Sequence, residues 1–489
     1  NNLYISEKKE EKADTIKELP EINFRTPGKL KQLLIFTQRD VVSKLADLQY
    51  IVITLLEAPV LAFFLAYLIR YFDISTRNGG YTLYDNSNLP VYIFMSVIVA
   101  IFMGLTVSAE EIIKDRKILK REAFLNLSWN SYLLSKVFVQ FGISAIQALS
   151  FVLIGNAIIG IREMTFQYWL VLFSCWASAN MLGLVISDSF KAVVTIYILI
   201  PFLVIPQIIL SGVLVKFEKL NPAISSPVTI PAYGETITAR WGYEALAVNQ
   251  FVNNRYERGF YRYDKAMSKA RYKKDYWYSE LKGYLESVIT SIDRDNRDEE
   301  FRDKLLVVSN EIRKEMSILP EIEFPEADLL TPERITADVA AGAINWLNSV
   351  RAYYISYYNN ANNQKDKLIT RMEAEDREGF RKLRENYYNK SLEESVLAEN
   401  EDQKTIVYKG EIIQKLEPVF MDPSAPFIRA HFYAPRKKIF GMFAGTFAVN
   451  VGVIWFMTAI LYLALYFRVL KRILDMVGTI TGKKTKLVD

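Results

Sequence analysis

Six long apolar segments limit what this 489-residue chain can fold into more than any other feature of the sequence. A helix needs about 20 apolar residues to cross the hydrocarbon core of a bilayer. Six stretches reach or approach that length: 48–72, 90–110, 132–160, 166–187, 191–213 and 439–467. Lipid offers the backbone no hydrogen-bond partners, so helices are the structure that satisfies such runs. We therefore predict an all-α membrane protein with six transmembrane helices.

The rest of the chain is strongly polar, since 24% of all residues are charged although 51% are hydrophobic. The 60 basic and 55 acidic residues give a net charge of +5, too small an excess to indicate nucleic-acid binding. The single cysteine, Cys175, excludes a disulfide framework. Together with the single histidine, His431, it leaves almost no side chains for a zinc site.

Basic residues beside the apolar segments predict the orientation of the chain, because cytoplasmic loops are enriched in Lys and Arg. They are concentrated in the loop at 111–131 and after residue 467, whereas the loops at 73–89 and 161–165 contain only Arg77 and Arg162. We therefore expect both termini and the 111–131 loop in the cytoplasm. The long segment 214–438 is then on the opposite side of the membrane.

Composition shifts divide the chain into eight parts. In order they are a charged linker (1–27), an amphipathic helix (28–47), five spans (48–213), a re-entrant segment (214–252), a polar helical insertion (253–425), a return segment (426–438), the sixth span (439–467) and a tail (468–489). Within the insertion, the stretch 406–413 predicts a small hairpin. The polar linker favours an ATPase fused upstream of this segment, with a separate ATPase subunit as the alternative.

No catalytic site can be assembled from the sequence. We expect His431 to be structural, because it lies among aromatic residues in the external segment. The tail at 478–485 resembles a phosphate-binding loop, but the spacing is one residue short and Lys484 stands where Ser or Thr is required. The sequence therefore predicts no catalytic residue and no metal site in this chain, and any ATP hydrolysis must come from a partner domain.

The stretch between the second and third spans combines acids and bases at the end of an apolar helix. Glu110 lies at the inner end of the second span, where an unpaired acid is costly. Arg39 on the preceding amphipathic helix and Arg116 or Arg121 are the available cations. The plain interpretation is a helix end that reaches the interface. The functional interpretation is a charged joint that transmits force from a cytoplasmic ATPase.

A second informative stretch follows the fifth span. Small residues end that span at 211–215, and an aromatic helix begins about 25 residues later at 240–251. Pro222, Pro227 and Pro231 break the chain between them. This pattern indicates a short re-entrant helix that forms a lid over a cavity.

Together these stretches resemble the permease domain of G-type ABC transporters, the white, sterol and multidrug half-transporter group, and of their bacterial relatives. The resemblance covers Leu30 to Phe251 and the sixth span. The family's acidic and basic pattern falls on Glu110, Asp115 and Arg121-Glu122, and its Tyr and Lys at the start of the third span fall on Tyr132 and Lys136. Its Ser-Gly-Leu-Leu-Val motif appears as Ser-Gly-Val-Leu-Val at 211–215, and its re-entrant motif at 241–251.

The resemblance implies specific roles. Segment 28–47 would be the connecting helix and 113–127 the coupling helix that contacts the ATPase. The implied polar relay comprises Arg39, Glu110, Asp115, Arg116, Arg121 and Glu122. The implied substrate cavity is lined by Ala100, Met103, Ile205 and Ile208 and closed by a valve at Val213 and Leu214. The implied re-entrant residues are Trp241, Tyr243, Glu244, Asn249 and Phe251.

The resemblance also implies the partners. ATP and Mg²⁺ would bind a nucleotide-binding domain, either fused upstream or separate, and two copies of the permease would form the cavity between them. The family has no counterpart of the insertion after Phe251. We take it to indicate a bacterial cytoplasmic membrane, in which the insertion can meet a periplasmic protein.

These implications lead to one preferred function and two alternatives. Apolar cavity walls favour export of a hydrophobic or lipid-like substrate. The first alternative is an ATP-driven mechanical transmitter that acts on a periplasmic partner through 253–425. The second is an exporter of a lipid-linked polysaccharide. Aromatic residues at the external mouth could contact sugars, so this alternative stays open.

Overall fold

The computed structural model describes residues 27–72, 80–125, 127–225, 229–401, 403–425 and 427–480. Most of these residues are helical, as the predicted all-α membrane fold requires. The predicted linker up to residue 26 and the part of the tail after residue 480 lie outside the described residues.

Within the described ranges, five helical segments are long and apolar enough to cross a membrane. They are α2 (Leu48–Ile69), α3 (Leu89–Ser108, continued by α4), α5 (Trp129–Ile159), α6 (Thr165–Ser189) and α14 (Thr446–Tyr466). The helix predicted as the fifth span is α7 (Val193–Ile209), which has only 17 residues. It rises about 26 Å at 1.5 Å per residue, slightly less than the hydrocarbon core. Five of the six predicted spans therefore have the usual length, and the remaining one, α7, is a shorter apolar helix.

The end of α7 explains its length. Pro201 and Pro206 lie inside the helix, and Gly212 follows it with a φ of +78°. The ring of Phe217 occupies the position that a Cβ atom at residue 212 would take. Glycine is thus required at this turn both for its backbone conformation and for the space beside it. The chain leaves the bundle here, before a fifth turn of helix is complete.

Small residues allow the membrane helices to approach closely, as is usual in bundles within lipid. A stripe of Thr54, Ala58, Ala62 and Ala66 is the buried face of α2, and Gln147 of α5 donates to the Thr54 carbonyl at 2.8 Å. Gly104 of α3 lies against α6, where a Cβ atom would be 2.6 Å from the Trp176 carbonyl oxygen. These contacts fix α2 on α5 and α3 on α6.

The connections gather at two opposite ends of the bundle. At one end Arg255 contacts Glu163 at 3.1 Å and Asn389 donates to the Asn86 carbonyl at 2.8 Å, so the short loops meet the insertion. At the other end lie α1 (Lys29–Ala46), α4 (Glu111–Arg121) and α15 (Val469–Ile480). This arrangement agrees with the alternation of sides that the basic residues predict.

The insertion forms a second, largely helical unit with its own apolar core. Its helices are α9 (Glu257–Arg271), a π-helical turn (Tyr272–Trp277), α10 (Tyr278–Asp293), α11 (Glu299–Ile318), α12 (Ala337–Tyr387) and α13 (Lys390–Val396). Trp277, Leu281, Val308 and Leu347 are buried in its core. A hairpin of β1 (Thr405–Tyr408) and β2 (Glu411–Gln414) lies where the sequence predicts one. The α8 helix (Thr238–Val252) connects this unit to the bundle.

A second hairpin precedes the last span. Strands β3 (Arg436–Ile439) and β4 (Met442–Gly445) pair in antiparallel fashion, and α14 begins directly afterwards at Thr446. The predicted start of the sixth span at residue 439 is therefore wrong by seven residues. Its apolar side chains belong to the hairpin, which hydropathy alone cannot distinguish from a helix end.

Candidate functional site

Three helices meet in a cluster of buried charges at the α1–α4 end of the bundle. Each helix contributes two polar side chains four residues apart, and this spacing places both on one helical face. The pairs are Asp40 and Lys44 on α1, Glu111 and Asp115 on α4, and Tyr132 and Lys136 on α5. We call these six residues the ion-pair cluster.

Lys136 is the centre of the ion-pair cluster. Its Nζ atom lies 2.6 Å from Asp40 Oδ1, 2.8 Å from Asp115 Oδ2 and 3.2 Å from Glu111 Oε2. Lys44 Nζ lies 2.7 Å from both Glu111 carboxylate oxygens. Each lysine therefore bridges α1 to α4, and Lys136 adds α5 to the joint.

The charges of the cluster nearly balance. Three carboxylates face two ammonium groups, and the Tyr132 hydroxyl donates to Asp115 at 2.9 Å. The Lys136 side chain is only 5% exposed, so its charge depends on these partners. Removing one member of such a pair leaves a buried charge uncompensated, at a cost of about 3–5 kcal/mol. The ion-pair cluster thus holds the three helices together only while all its charges are present.

The α4 helix is also fixed to the end of α6. The Ser187 hydroxyl accepts hydrogen bonds from the backbone N–H groups of Ile112 and Ile113 at 3.0 and 3.1 Å. In return, the Arg116 guanidinium donates to the carbonyl oxygens of Asp188 at 3.0 Å and Phe190 at 2.8 Å. A side chain of each helix thus forms hydrogen bonds with backbone groups at the end of the other helix, where those groups have no partner within their own helix. A displacement of α4 must therefore move α6.

The predicted relay residues are only partly found together. Arg39 Nη1 pairs with Glu122 at 2.7 Å, which joins α1 to the end of α4. Glu110 contacts neither Arg39 nor Arg121; it pairs with Lys114 on its own helix. Arg121 is exposed and forms no ion pair with any described residue. The expectation that Glu110 pairs with Arg39, Arg116 or Arg121 is therefore corrected.

The expectation fails because it assigns Glu110 to the helix face that its neighbour Glu111 occupies. Successive residues on a helix point about 100° apart, and it is Glu111 rather than Glu110 that faces Lys44 and Lys136. Sequence reasoning missed Asp40, Lys44 and Glu111 as members of the joint. The signal that could have identified them is spacing, because charged side chains four residues apart, such as Asp40 and Lys44 or Glu111 and Asp115, share one face of a helix.

A second buried charge cluster lies at the insertion end of the bundle. Glu244 of α8 and Lys437 of β3 are both fully buried, with Lys437 Nζ 2.6 Å from Glu244 Oε2. Asn450 of α14 donates to the same oxygen at 2.9 Å and accepts from Lys437 at 2.9 Å. Arg240 pairs with Glu235 at 3.0 Å. The short helix, the hairpin and the last span are thereby connected.

The other re-entrant residues pack inside the bundle. Trp241 lies under two cations, 3.7 Å from Arg240 Cζ and 4.4 Å from Lys437 Nζ to the ring centre. The Tyr243 hydroxyl lies 3.3 Å from that of Tyr433, and Asn249 and Phe251 are buried. A helix, α8, thus lies where the re-entrant helix is predicted, and nearly all its side chains are enclosed by protein.

The predicted cavity residues lie on two different surfaces. Ala100 and Met103 are buried inside this chain, on the same side of α3 as Gly104, which faces α6. Ile205 of α7 is 51% exposed. Ile208 is partly buried, and in the predicted valve Val213 is partly buried and Leu214 is exposed. Ala100 and Met103 therefore cannot contribute to a surface shared with a second copy of the chain. Ile205 and Leu214 are exposed and can contribute to one.

His431 is partly buried, and its Nε2 atom lies 2.8 Å from the Pro418 carbonyl oxygen. Burial lowers the pKa of His431, so the neutral ring donates this hydrogen bond. Among the described residues, no group of three or more His, Cys, Asp or Glu side chains is placed to hold a metal ion. The three carboxylates of the ion-pair cluster are occupied by lysines instead.

The fold and the two clusters define a multi-spanning helical membrane protein whose bundle ends in a charged joint. Comparison with known families gives the same result, because residues 31–251 match the family described as ABC-2 type transporter. A 184-residue segment is 22% identical to ABC transporter G family member STR of Medicago truncatula. That match covers 37% of this chain and only 21% of the plant protein. Residues 31–251 are therefore similar to the membrane domain of ABC-2 type transporters, and part of the chain is similar to a G family member of the ABC transporters.

Proposed function

We propose that this chain is the permease of an ATP-driven exporter that moves a hydrophobic or lipid-like substrate out of the cytoplasm or the inner leaflet. The observation that carries the proposal is the ion-pair cluster around Lys136, which ties α4 to α1 and α5. Permease domains of the ABC-2 type work with nucleotide-binding components, which would supply ATP and Mg²⁺. This chain would supply the surface on which they act.

The contacts of α4 support a lever that moves several helices at once. A nucleotide-binding domain that pushes on α4 would displace α6 through Ser187 and Arg116. The same push would displace α1 and α5 through the ion-pair cluster. The α3 helix would follow because α4 continues it after a short break. ATP-driven closure at the cytoplasmic face would thereby reach four helices of the bundle.

Exposed apolar side chains support both a second copy and an apolar cargo. Phe102 of α3 and Phe202, Ile205 and Ile209 of α7 all face away from this chain's own core. These helices pack side by side, so their exposed faces form one apolar surface. In the proposed homodimer two such surfaces would face each other and enclose the substrate path. In the proposed orientation both termini would lie in the cytoplasm of a bacterial cell.

The proposal is tested by separating ATP hydrolysis from transport. The permease is purified with its nucleotide-binding component and reconstituted in liposomes containing a fluorescent phosphatidylcholine, whose transfer between leaflets is measured. Lys136→Gln should keep at least half of the basal ATPase rate, but its rate of ATP-dependent lipid transfer should be about tenfold lower.

Two control variants make the result specific. Lys31→Gln removes an exposed lysine of α1 and should leave both activities unchanged. Lys136→Arg keeps the charge and should restore part of the transfer. Wild-type transfer by the Lys136→Gln protein would contradict the proposed coupling.

A specific set of contacts also favours the mechanical-transmitter function as a second candidate. The foot of the insertion clamps the loop that leads into α3. Asn389 donates to the Leu83 carbonyl at 2.7 Å, and the Tyr84 backbone pairs with Glu385 at 3.1 Å and with Lys390 at 3.2 Å. Movement of α3 would therefore tilt the long α12 helix.

Deletion of 260–420 separates the two candidates. If export is the function, the shortened protein keeps substrate-stimulated ATPase activity and lipid transfer. If transmission is the function, ATPase activity persists but the cellular process that depends on the protein stops. A point variant, Asn389→Ala, loosens the clamp without removing the domain and should weaken only the second function.

A further inference from the structure

The hairpin of β3 and β4 exposes apolar side chains at its tip. Its two-residue turn consists of Phe440 and Gly441, with φ values of +48° and +84°. Both residues thus have the positive φ that the common two-residue hairpin turn requires. Phe440 is 84% exposed, Met442 74% and Phe443 44%. Three large apolar side chains in water at a tight turn are unfavourable unless something covers them.

The position of the hairpin indicates what covers this tip. Gly445 ends β4 and directly precedes α14, whose 21 residues rise about 31 Å. That length matches the roughly 30 Å of the hydrocarbon core. The span therefore uses its full length to cross the membrane, and the hairpin begins at the lipid–water interface on the insertion side.

The hairpin cannot swing away from this position. Lys437 in the middle of β3 is buried against Glu244 and Asn450, so the strand is fixed to α8 and α14. The Thr446 backbone N–H also donates to the Pro435 carbonyl at 3.2 Å. Residues 436 and 438 point to the face opposite Lys437, since side chains alternate along a strand.

The outer face of the hairpin combines aromatic and basic groups. Arg436 Cζ lies 4.4 Å from the centre of the Phe443 ring and Lys438 Nζ lies 5.2 Å from it. Asp422 pairs with Arg436 at 2.6 Å, whereas Lys438 has no carboxylate partner among the described residues. The only hydrogen bond of Lys438 among the described residues is a long one, 3.5 Å from its Nζ to the Ser424 carbonyl oxygen. Aromatic rings beside a lysine without a carboxylate partner are typical of side chains at the headgroup level of a membrane.

We propose that the hairpin tip is a lipid contact in the leaflet on the insertion side. Phe440, Met442 and Phe443 lie among the interfacial chain segments, and Lys438 faces a headgroup phosphate. The contact anchors the strand that contains Lys437, and through it the buried pair with Glu244. This inference concerns the membrane position of the hairpin and holds whether the chain exports a substrate or transmits a movement.

Spin labelling tests the contact directly, because the chain has a single cysteine. In a Cys175→Ser background, Phe440→Cys is labelled and the protein is placed in nanodiscs of phosphatidylcholine and phosphatidylglycerol. Collision rates with oxygen, which partitions into lipid, and with a water-soluble nickel complex are then measured. Tyr353→Cys on α12 is the control, since Tyr353 is also exposed but lies in the insertion.

We expect the ratio of oxygen to nickel collisions to be at least threefold higher at residue 440 than at residue 353. Met442→Cys gives the same measurement at a second position if the first variant does not fold. Equal ratios at the tip and at residue 353 would overturn the proposal, because the tip would be in water. Dipolar broadening between two labelled tips would also overturn it, because a second copy would then cover the tip.

Discussion

The Ser187 hydroxyl oxygen lies 3.0 Å from the backbone nitrogen of Ile112 and caps the first turn of α4 from another helix. The residue before α4, Glu110, makes no side-chain cap of its own. The start of the lever helix is therefore defined by α6, not by its local sequence. This relationship makes the α4–α6 contact a mechanical joint whose strength can be altered by one hydroxyl group.

Removal of that hydroxyl should loosen α4 without unfolding the bundle. Loss of an N-terminal cap costs about 1 kcal/mol, so Ser187→Ala should raise amide hydrogen exchange at Ile112 and Ile113 roughly fivefold. Ser189→Ala is the matched control, because the Ser189 hydroxyl bonds only to the Val185 carbonyl of its own helix. Equal protection of the two amides in all three proteins would contradict the proposed cap.

A methyl group at Gly104 should separate α3 from α6. A Cβ atom there would lie 2.6 Å from the Trp176 carbonyl oxygen and 2.7 Å from the Ala179 side chain. Gly104→Ala should therefore lower the free energy of unfolding by about 1–3 kcal/mol, measured by titration with sodium dodecyl sulfate in mixed micelles.

The control for that change is Gly142→Ala on α5. Gly142 also lies within a helix, but no atom is within 4 Å of the position that its Cβ would take. Because alanine favours helix over glycine, this variant should be neutral or more stable by up to about 1 kcal/mol. If the two variants were equally stable, the close packing at Gly104 would be refuted.

The buried pair of Glu244 and Lys437 should show strong coupling. Either Glu244→Gln or Lys437→Met removes the nearest partner of the other buried charge, at a cost of up to about 3–5 kcal/mol. The cost should be smaller for Lys437→Met, because Arg240 Nη2 still lies 3.8 Å from Glu244 Oε2. The double variant should cost clearly less than the sum of the two. Arg371 and Glu375, an exposed pair at 2.9 Å on α12, are the control and should show almost no coupling, because water screens their charges. Additive effects at the buried pair would contradict the geometry.

Glu257 should make the insertion less stable at high pH. Burial, and after it the charge of Asp264, raises the pKa of this carboxyl from the ordinary 4.5 to about 9. Between pH 4.5 and 9 the folded carboxyl keeps a proton that the unfolded one has lost. Stability therefore falls as pH rises, by at most about 1.4 kcal/mol per pH unit.

Thermal unfolding between pH 5 and pH 9 measures this effect. Glu257→Gln mimics the protonated acid, so its unfolding temperature should change less with pH and exceed that of the unaltered protein at pH 9. Glu373→Gln, at an exposed position of α12, should leave the pH profile unchanged. Parallel profiles for Glu257→Gln and the unaltered protein would show that Glu257 is ionised in the fold.

Apolar length predicted the membrane fold well, because it depends on composition summed over many residues. It failed where one residue or one turn decides the outcome. Hydropathy cannot distinguish residues 439–445, a hairpin, from the helix that follows, and it cannot see that Pro206 and Gly212 shorten α7.

The candidate site was harder to predict than the fold because it depends on helix rotation. Glu110 and Glu111 are neighbours in sequence, yet only Glu111 faces Lys136. The same reasoning applies to Met103, which packs within its own chain although it lies next to the exposed Phe102. Tertiary packing decides which neighbour each face of a helix contacts. A resemblance between sequence motifs carries no information about that packing.

Photocrosslinking from α4 in the native membrane tests the central claim most directly. A benzoyl-phenylalanine residue replaces Lys117, an exposed side chain of α4, and for comparison Tyr353 of the insertion. The account predicts that residue 117, and not residue 353, attaches to a domain that binds and hydrolyses ATP. The account would be contradicted if residue 117 reacted only with reagents added outside the cell. It would also be contradicted if residue 117 crosslinked to no component that hydrolyses ATP.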